Sequence, residues 1–317
     1  MVKIAVAGGS GQVAREVIDA LVAAKKHEII ILSRNVTPPI GNNIPGVTSR
    51  AVNYDDQTGL VEALQGIHTV LSFIQLLSDP ENRSQKNLID AAIVAGVKRF
   101  APSEWGSAET TDMPWWAGKA QVREYLKKVN ENGRVLDYTL FQPGLFLDYL
   151  ATPYRTAKHV APLNTMFDFE NRRAIVVDGH DFVMTFTTVR DLAAVVAEAI
   201  DYEGEWPVIG GIAGNRVTVS QILKIGEKVR GRPFAIETVK LEDLEAGHLD
   251  TSWTLEARHA SVPDDQAASL LNAVLIGTLL SGAKGAWAVS NEFNRILQDY
   301  KFTRMEDFLA KVWEDKP

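Results

Sequence analysis

Apolar residues are spaced along this chain in two alternating rhythms. The run KIAVA at residues 3–7 is unbroken, GGSGQVAREVIDALVAA follows with a glycine turn and then apolar positions at helical spacing, and EIIILSR returns to an unbroken run. That sequence of patterns is one β-α-β unit. The alternation continues with VTSRAV and a helix over about Gln57–Leu64, TVLSFI and a helix over about Glu81–Ala95, KRFAPS and a helix over about Trp115–Asn130, and then DYTLFQP. Six strands that read as apolar runs, without period-two alternation, predict a Rossmann-type α/β fold: a doubly wound parallel sheet covered on both faces.

After QPGLF the rhythm changes. Residues 147–168 hold Pro153, Pro162 and several aromatics with no clean period, and RAIVVDGHDF resumes a strand and a tight turn. Helices at TVRDLAAVVAEAI, at TVSQILKIGEKVRG (capped by Thr218 or Ser220) and at RMEDFLAKVWED, with a strand near WPVIGGI, complete the chain. The expected division is a dinucleotide-binding domain over 1–150 and a smaller α+β substrate lobe over 151–317, with elements after residue 185 partly returning to the first. No repeat or linker separates them. The uncharged run Ala267–Ala283 is slightly short of the roughly 20 residues that span a bilayer and contains Asn272 and Thr278, so a buried helix over a pocket or subunit contact is expected, with no membrane span.

Composition narrows the function classes. With 317 residues, 46% hydrophobic and 23% charged, the chain has the make-up of a globular protein with a substantial core. A net charge of −7 gives no basic footprint for nucleic acid. There is no cysteine, which excludes disulfides, a thiolate nucleophile and a thiolate metal site. The chain runs from Met1 straight into a strand with no secretory signal pattern, and a cytoplasmic location is expected. The triplets beginning at Asn35 and Asn82 are therefore read as chance matches to the glycosylation pattern. The six histidines show no metal spacing and no Ser-His-Asp order, so no metal is expected, and His159 and His180 are read as surface or structural residues.

The first turn carries a cofactor signal. In GGSGQVA, Gly8 permits a tight turn, Gly11 lets the backbone approach a pyrophosphate, and Ala14 lets helix pack on strand, with Ser10, Gln12 and Val13 completing the loop. At the end of the second strand, where a carboxylate would bind the ribose 2′-hydroxyl of NAD, stand Ser33 and Arg34, a hydroxyl and a guanidinium suited to a 2′-phosphate. NADPH is favoured over NADH, with a solvated surface arginine as the alternative reading. LSFIQ, after the fourth strand, places Ser72, Phe73 and Gln75 beside the cofactor. The turn PSEWG after the fifth strand lies at the carboxyl edge where such sheets bind ligands; Pro102 and Ser103 are expected at the cofactor, and Glu104 and Trp105 at the substrate. For Glu104 the alternative is an acid that caps the turn.

AVAGGSGQVA, KRFAPSEWG, the helix GKAQVREYL, YTLFQPGLF and TTVRDLAAVVAEAI together resemble the NmrA-like and isoflavone reductase-like family, an atypical branch of the short-chain dehydrogenases, up to about residue 230. The resemblance implies an NADP-binding Rossmann domain with a smaller substrate lobe, and either an NADPH-dependent reductase of aromatic natural products in secondary metabolism or a dinucleotide-binding redox-sensing regulator without turnover. A non-redox isomerase or cyclase on the same fold is a third reading. It also implies that Lys119 sits by the nicotinamide as acid and base without a tyrosine, for which Trp115 stands four residues before it. Independently, a lysine with Trp115, Trp116 and Ala117 beside it is open to desolvation, which lowers its pKa toward neutrality; a solvated helix lysine is the alternative. Phe146 and Tyr149 belong to an aromatic-rich stretch suited to a planar substrate. The expected partner is one aromatic small molecule, and the chain is expected as a monomer or homodimer.

Overall fold

The computed structural model describes residues 1–34, 44–256 and 264–316. Six strands, β1 (Lys3–Ala7), β2 (Glu28–Ser33), β3 (Val47–Ala51), β4 (Thr69–Ser72), β5 (Arg99–Ala101) and β6 (Asp137–Tyr138), form a parallel sheet in the order β3-β2-β1-β4-β5-β6. Strand order reverses between β1 and β4, which opens a crevice at their carboxyl ends, the position where doubly wound sheets take ligands.

Helices α1 (Gln12–Ala24), α2 (Gln57–Leu64), α3 (Arg83–Val94) and α4 (Ala117–Val129) alternate with these strands. On α1 the buried positions Ala14, Val17, Ile18 and Leu21 follow helical spacing and meet Ile4 and Val6 of β1. Ala5 and Ala7, the alternate positions of β1, face the other way with Leu60 of α2, Leu88 of α3 and Val122 of α4. Both faces of the sheet are thus covered. Each fully buried leucine or isoleucine there contributes about 1.5 to 3 kcal/mol relative to exposure. The edge strand β3 departs from the expected all-apolar reading: Thr48, Arg50 and Ala51 are exposed, because nothing pairs with or covers that margin among the described residues.

DYTLFQP is not one strand. After β6 the backbone changes partner at Thr139, and β7 (Leu140–Gln142) pairs in parallel with a strand from much later in the chain. That chain passes through β8 (Leu145–Phe146), β9 (Phe167–Asp168), β10 (Arg173–Val177), β11 (Val183–Thr187) and α5 (Val189–Asp201) before reaching the partner, β12 (Ile209–Gly211). Helix α5 lies on α1, so the returning chain adds to the helical layer on that face, while β7 and β12 form a two-stranded sheet of their own.

The remaining elements are β13 (Asn215–Thr218), α6 (Val219–Arg230), β14 (Ala235–Val239), α7 (Leu241–Glu245), α8 (Asp264–Ala283), α9 (Glu292–Ile296) and α10 (Met305–Trp313). Two small sheets, β13-β11-β8 and β14-β10-β9, share a second core with α6, α8 and α10, built on Phe169, Met184, Ile222, Leu279 and Trp313. Helix α8 is not buried along its length as expected. Burial begins near Leu275; Ala268 and Ser269 are exposed. Its inner half fits closely, since a Cβ at Gly277 would meet the Trp115 ring at 2.7 Å. Among the described residues no helix is long and apolar enough to cross a membrane. Of the two glycosylation triplets, Asn35 lies outside the described residues, and Asn82 is buried and hydrogen-bonded to Gln121.

Helix α6 starts with a complete capping box, Thr218 accepting from the Gln221 amide while the Gln221 side chain accepts from the Thr218 amide. Thr218→Ala is expected to lower stability by about 1 kcal/mol in urea unfolding and to leave nucleotide binding unchanged, because the cap lies at the start of α6, on the helix that packs into the second core, and not at the glycine turn.

Candidate active site

The turn between β1 and α1 is shaped for close approach of a ligand to backbone. Gly8 has φ +72°, and a Cβ there would meet the Phe73 carbonyl oxygen at 2.7 Å, so only glycine fits between β1 and the end of β4. Gly11 caps α1 with no side-chain hydrogen bond, and the first turn of the helix carries no acid. Ser10, Gly11 and Gln12 are exposed. Free helix-start amides with no competing carboxylate attract an anion, which fits the pyrophosphate of a dinucleotide. Arg34 stands exposed just past the end of β2. A second observation supports the same ligand: Tyr54, 7% exposed, lies by the Gly8 backbone within the field of Arg34, and its buried hydroxyl finds no acceptor among the described residues. Burial raises the pKa of that phenol, so it stays a donor for an acceptor at this turn.

At the carboxyl end of β5 the chain reverses through Pro102–Gly106. The Glu104 amide donates to the Pro102 carbonyl at 2.8 Å and Trp105 takes φ +46°, a left-handed conformation that costs a non-glycine residue roughly 1 kcal/mol or more. Contacts on both sides offset that cost. The Ser103 amide donates to the Gln85 side chain at 2.6 Å, tying the turn to α3. The Trp105 indole donates to the Ser72 carbonyl at 2.8 Å and stacks between Phe73, 4.2 Å away, and Phe141, 5.4 Å away.

Lys119 lies on the other side of this turn. It is 5% exposed, its ammonium donates to the Glu104 carbonyl, and it sits 3.4 Å from the centre of the Trp116 ring. One helical turn further, Arg123 forks onto the Glu104 carboxylate, Nε at 3.1 Å and Nη2 at 2.8 Å. Burial is the largest influence on Lys119 and lowers its pKa; Glu104 raises it and Arg123 lowers it, and the balance stands at about 7. Trp116 packs against Trp287 at 5.8 Å and Trp115 at 6.3 Å, closing the ammonium beneath an aromatic wall. Gly106 makes room for it: a Cβ there would meet the Trp116 ring at 2.7 Å and the Lys119 nitrogen at 3.1 Å.

The expected site residues divide between these two sides. Val13, Phe73, Trp105, Phe146 and Tyr149 pack in one cluster, and the Phe146 and Tyr149 rings lie 5.4 Å apart. Burial raises the pKa of the Tyr149 phenol. Ser33 is the last residue of β2, Gln75 lies three residues past the end of β4, and Pro102 is buried in the PSEWG turn just past β5. Two residues expected at the substrate are engaged within the protein: Glu104 is 2% exposed, with Arg123 on both carboxylate oxygens, and the half-buried Trp105 donates its indole N–H to the Ser72 carbonyl. The Gln12 side chain also turns away from the loop, accepting from the Ala161 amide at 2.8 Å. His159 pairs with Asp19 at 2.9 Å, fastening the lobe to α1, and His180 is half-buried just after a turn, its ring bonded to the Asp178 carbonyl. Tyr54, Gln85 and Arg123 were not singled out from sequence. Arg123 alone carried a usable signal, its position four residues after Lys119 on the same helix.

The family model for the NmrA-like family matches residues 2–309. The chain belongs to the NmrA-like family. This NmrA-like protein is 34% identical over 243 residues to the oxidoreductase BOA1 of Botryotinia fuckeliana, covering 74% of the chain and 78% of that relative. Among solved structures, the NADPH-dependent quinone oxidoreductase QOR2 of Escherichia coli, complexed with NADPH, shares the fold with a TM-score of 0.69 at 21% identity, over 98% of this chain and 99% of that one. AtPrR2 with NADP+ and (+)pinoresinol gives a TM-score of 0.67 at 19% identity, over 98% of each chain.

A lysine with a folded pKa near 7 and an ordinary value of 10.5 destabilises the fold fully below pH 7, where its buried charge persists, and the penalty disappears as pH rises through 10. Lys119→Met is therefore expected to raise Tm, by the largest margin below pH 7 and by little at pH 10. Thermal denaturation of both proteins across that range measures it, and a margin independent of pH would contradict the buried charge.

Proposed function

We propose that this NmrA-like protein is an NADPH-dependent reductase of an aromatic or conjugated small molecule, with Lys119 delivering the proton. The observation that carries this reading is the buried ammonium of Lys119, set near neutrality at the carboxyl edge of the sheet beside the turn after β5. NADPH, when bound, supplies the hydride and leaves as NADP+. The chain's own residues do the rest. The Gly8–Val13 backbone holds the pyrophosphate, with Ser10 and Gln12 at its rim, while Ser33 and Arg34 meet the 2′-phosphate. Ser72, Phe73 and Gln75 flank the adenosine-ribose side of the cofactor, and Pro102 and Ser103 lie at its nicotinamide end. Phe146 and Tyr149 offer aromatic faces for a planar substrate, in keeping with the pinoresinol bound to the AtPrR2 neighbour. The substrate gains a hydride and one proton from Lys119, which is restored from solvent.

The protonation sign follows from the direction of the shift. Lys119 is charged and able to donate below about pH 7 and neutral above it. With a simple quinone as probe, kcat for NADPH oxidation is expected to fall about tenfold per pH unit above that point. Lys119→Met should reduce kcat by about 100-fold or more while the NADPH Kd, read by fluorescence titration, changes little. Arg34→Asp should weaken NADPH about tenfold and leave NADH binding nearly unchanged, because only the former carries the 2′-phosphate. An unchanged preference between the two would overturn the assignment of Arg34.

One observation favours a second reading, a dinucleotide-binding regulator without turnover: the Trp116 ring covers the ammonium at 3.4 Å. NADPH binding with no oxidation across a panel of quinones and enones would support it.

A further inference from the structure

We propose that Glu104 is a positioning residue, which aims Lys119 through its own backbone carbonyl and balances the charge around it through the ion pair with Arg123. This rests on the proton-delivery role of Lys119 set out above. A buried acid one residue before a strained turn invites the expectation of a substrate contact, yet neither carboxylate oxygen is offered to a ligand: Oε1 accepts from Arg123 Nε at 3.1 Å and Oε2 from Nη2 at 2.8 Å. The same residue turns its carbonyl onto the Lys119 ammonium. Lys119 and Arg123 are one turn apart on α4, so Glu104 grips that helix at two successive turns, once with its main chain and once with its side chain.

The grip is rigid on both sides. The carbonyl of Glu104 lies between the tight Pro102–Glu104 turn and the left-handed Trp105, which is pinned by the Ser72 carbonyl. Arg123 is fixed further by the Ala108 carbonyl at 2.8 Å, and that carbonyl also accepts from the Gln142 side chain at 3.2 Å. A planar guanidinium with its donors in fixed directions holds a carboxylate in one orientation, so the carbonyl attached to the same residue is held as well.

The charges around Lys119 come from two elements. Glu104 faces it from the turn after β5, and Arg123 faces it from α4 itself; Glu109, exposed and 3.6 Å from Arg123, is the next charge outward. The wall formed by Trp115, Trp116 and Trp287 is neutral. Removing the Glu104 charge leaves a half-buried guanidinium beside a buried ammonium, whereas removing the Arg123 charge leaves a carboxylate there. The two changes act on the proton of Lys119 with opposite sign. A residue that merely held the turn together would not separate them.

The test uses the full chain with lysines labelled with carbon-13 at Cε, the Lys119 signal being assigned by its absence in Lys119→Met. Its titration midpoint is read by NMR in the wild type and in Glu104→Gln, Arg123→Met and Glu109→Gln, alongside the pH dependence of kcat with a quinone. Glu104→Gln keeps the shape of the side chain and is expected to lower the midpoint, and the pH above which kcat falls, by about one unit or more. Arg123→Met is expected to raise both. Glu109→Gln is expected to leave both within about 0.3 unit, since that charge is solvated. Midpoints that stay put in both buried variants, or move in the same direction, overturn the role of Glu104. If Glu104→Gln does not fold, the direction of movement in Arg123→Met decides alone. Opposite shifts in the two variants, with a wild type that never turns over, reject the reductase reading and keep the charge arrangement; turnover with unmoved midpoints does the reverse.

Discussion

The arrangement of this site depends on one constraint: a lysine ammonium has been taken out of water with a single carbonyl and an aromatic face as its immediate company. A charge in that position is costly, and the molecule meets the cost in two ways. Burial lowers the pKa of Lys119 until the neutral form is accessible near pH 7, and the carbonyl of Glu104 accepts from whichever form is present. Everything adjacent serves that geometry. Gly106 leaves space for the Trp116 ring, the Arg123 fork neutralises the Glu104 carboxylate, and the start of α4 places Trp116, Lys119 and Arg123 on one side of the helix.

The turn after β5 connects this ammonium to the cofactor side of the molecule. Pro102–Gly106 has Lys119 on one flank and the Phe73-Trp105-Phe141 stack on the other, and the second flank continues to Gly8, whose backbone closes against Phe73. A parallel sheet makes this possible because all its strands end on the same edge, so residues distant in sequence meet there. The left-handed Trp105 is the strained joint between the two flanks, and its indole bond to Ser72 holds it.

Much of the fold was legible in the chain. Unbroken apolar runs alternating with helical spacing require burial on both faces of each strand, and only helix-covered parallel sheets provide that, so the β-α alternation and the limits of α1, α2 and α5 could be read closely. The break at Thr139 could not. Whether Leu140–Gln142 continues β6 or leaves it depends on β12, whose pairing is set some 70 residues later along the chain. Helix α8 shows the opposite error: uniform apolarity suggested complete burial, but its first described side chains are exposed, since hydrophobic content carries no information about how far a neighbouring surface extends.

At the site, the sequence by itself determined the glycine turn, the exposed basic residue after β2 and the presence of a lysine beside tryptophans, because each depends on local backbone geometry or on neighbours within one helical turn. It did not determine what Glu104 faces. A carboxylate three residues beyond a strand end reads equally as a ligand contact or a structural anchor, and the choice fell to Arg123, Ala108 and Gln85, which only the packing of α3 and α4 brings around it. The buried Tyr54 hydroxyl was equally silent, since nothing in the residues around it shows that Gly8 will lie against it. Local chemistry follows from neighbours along the chain; burial, and with it the lowered pKa of Lys119, follows from neighbours in space.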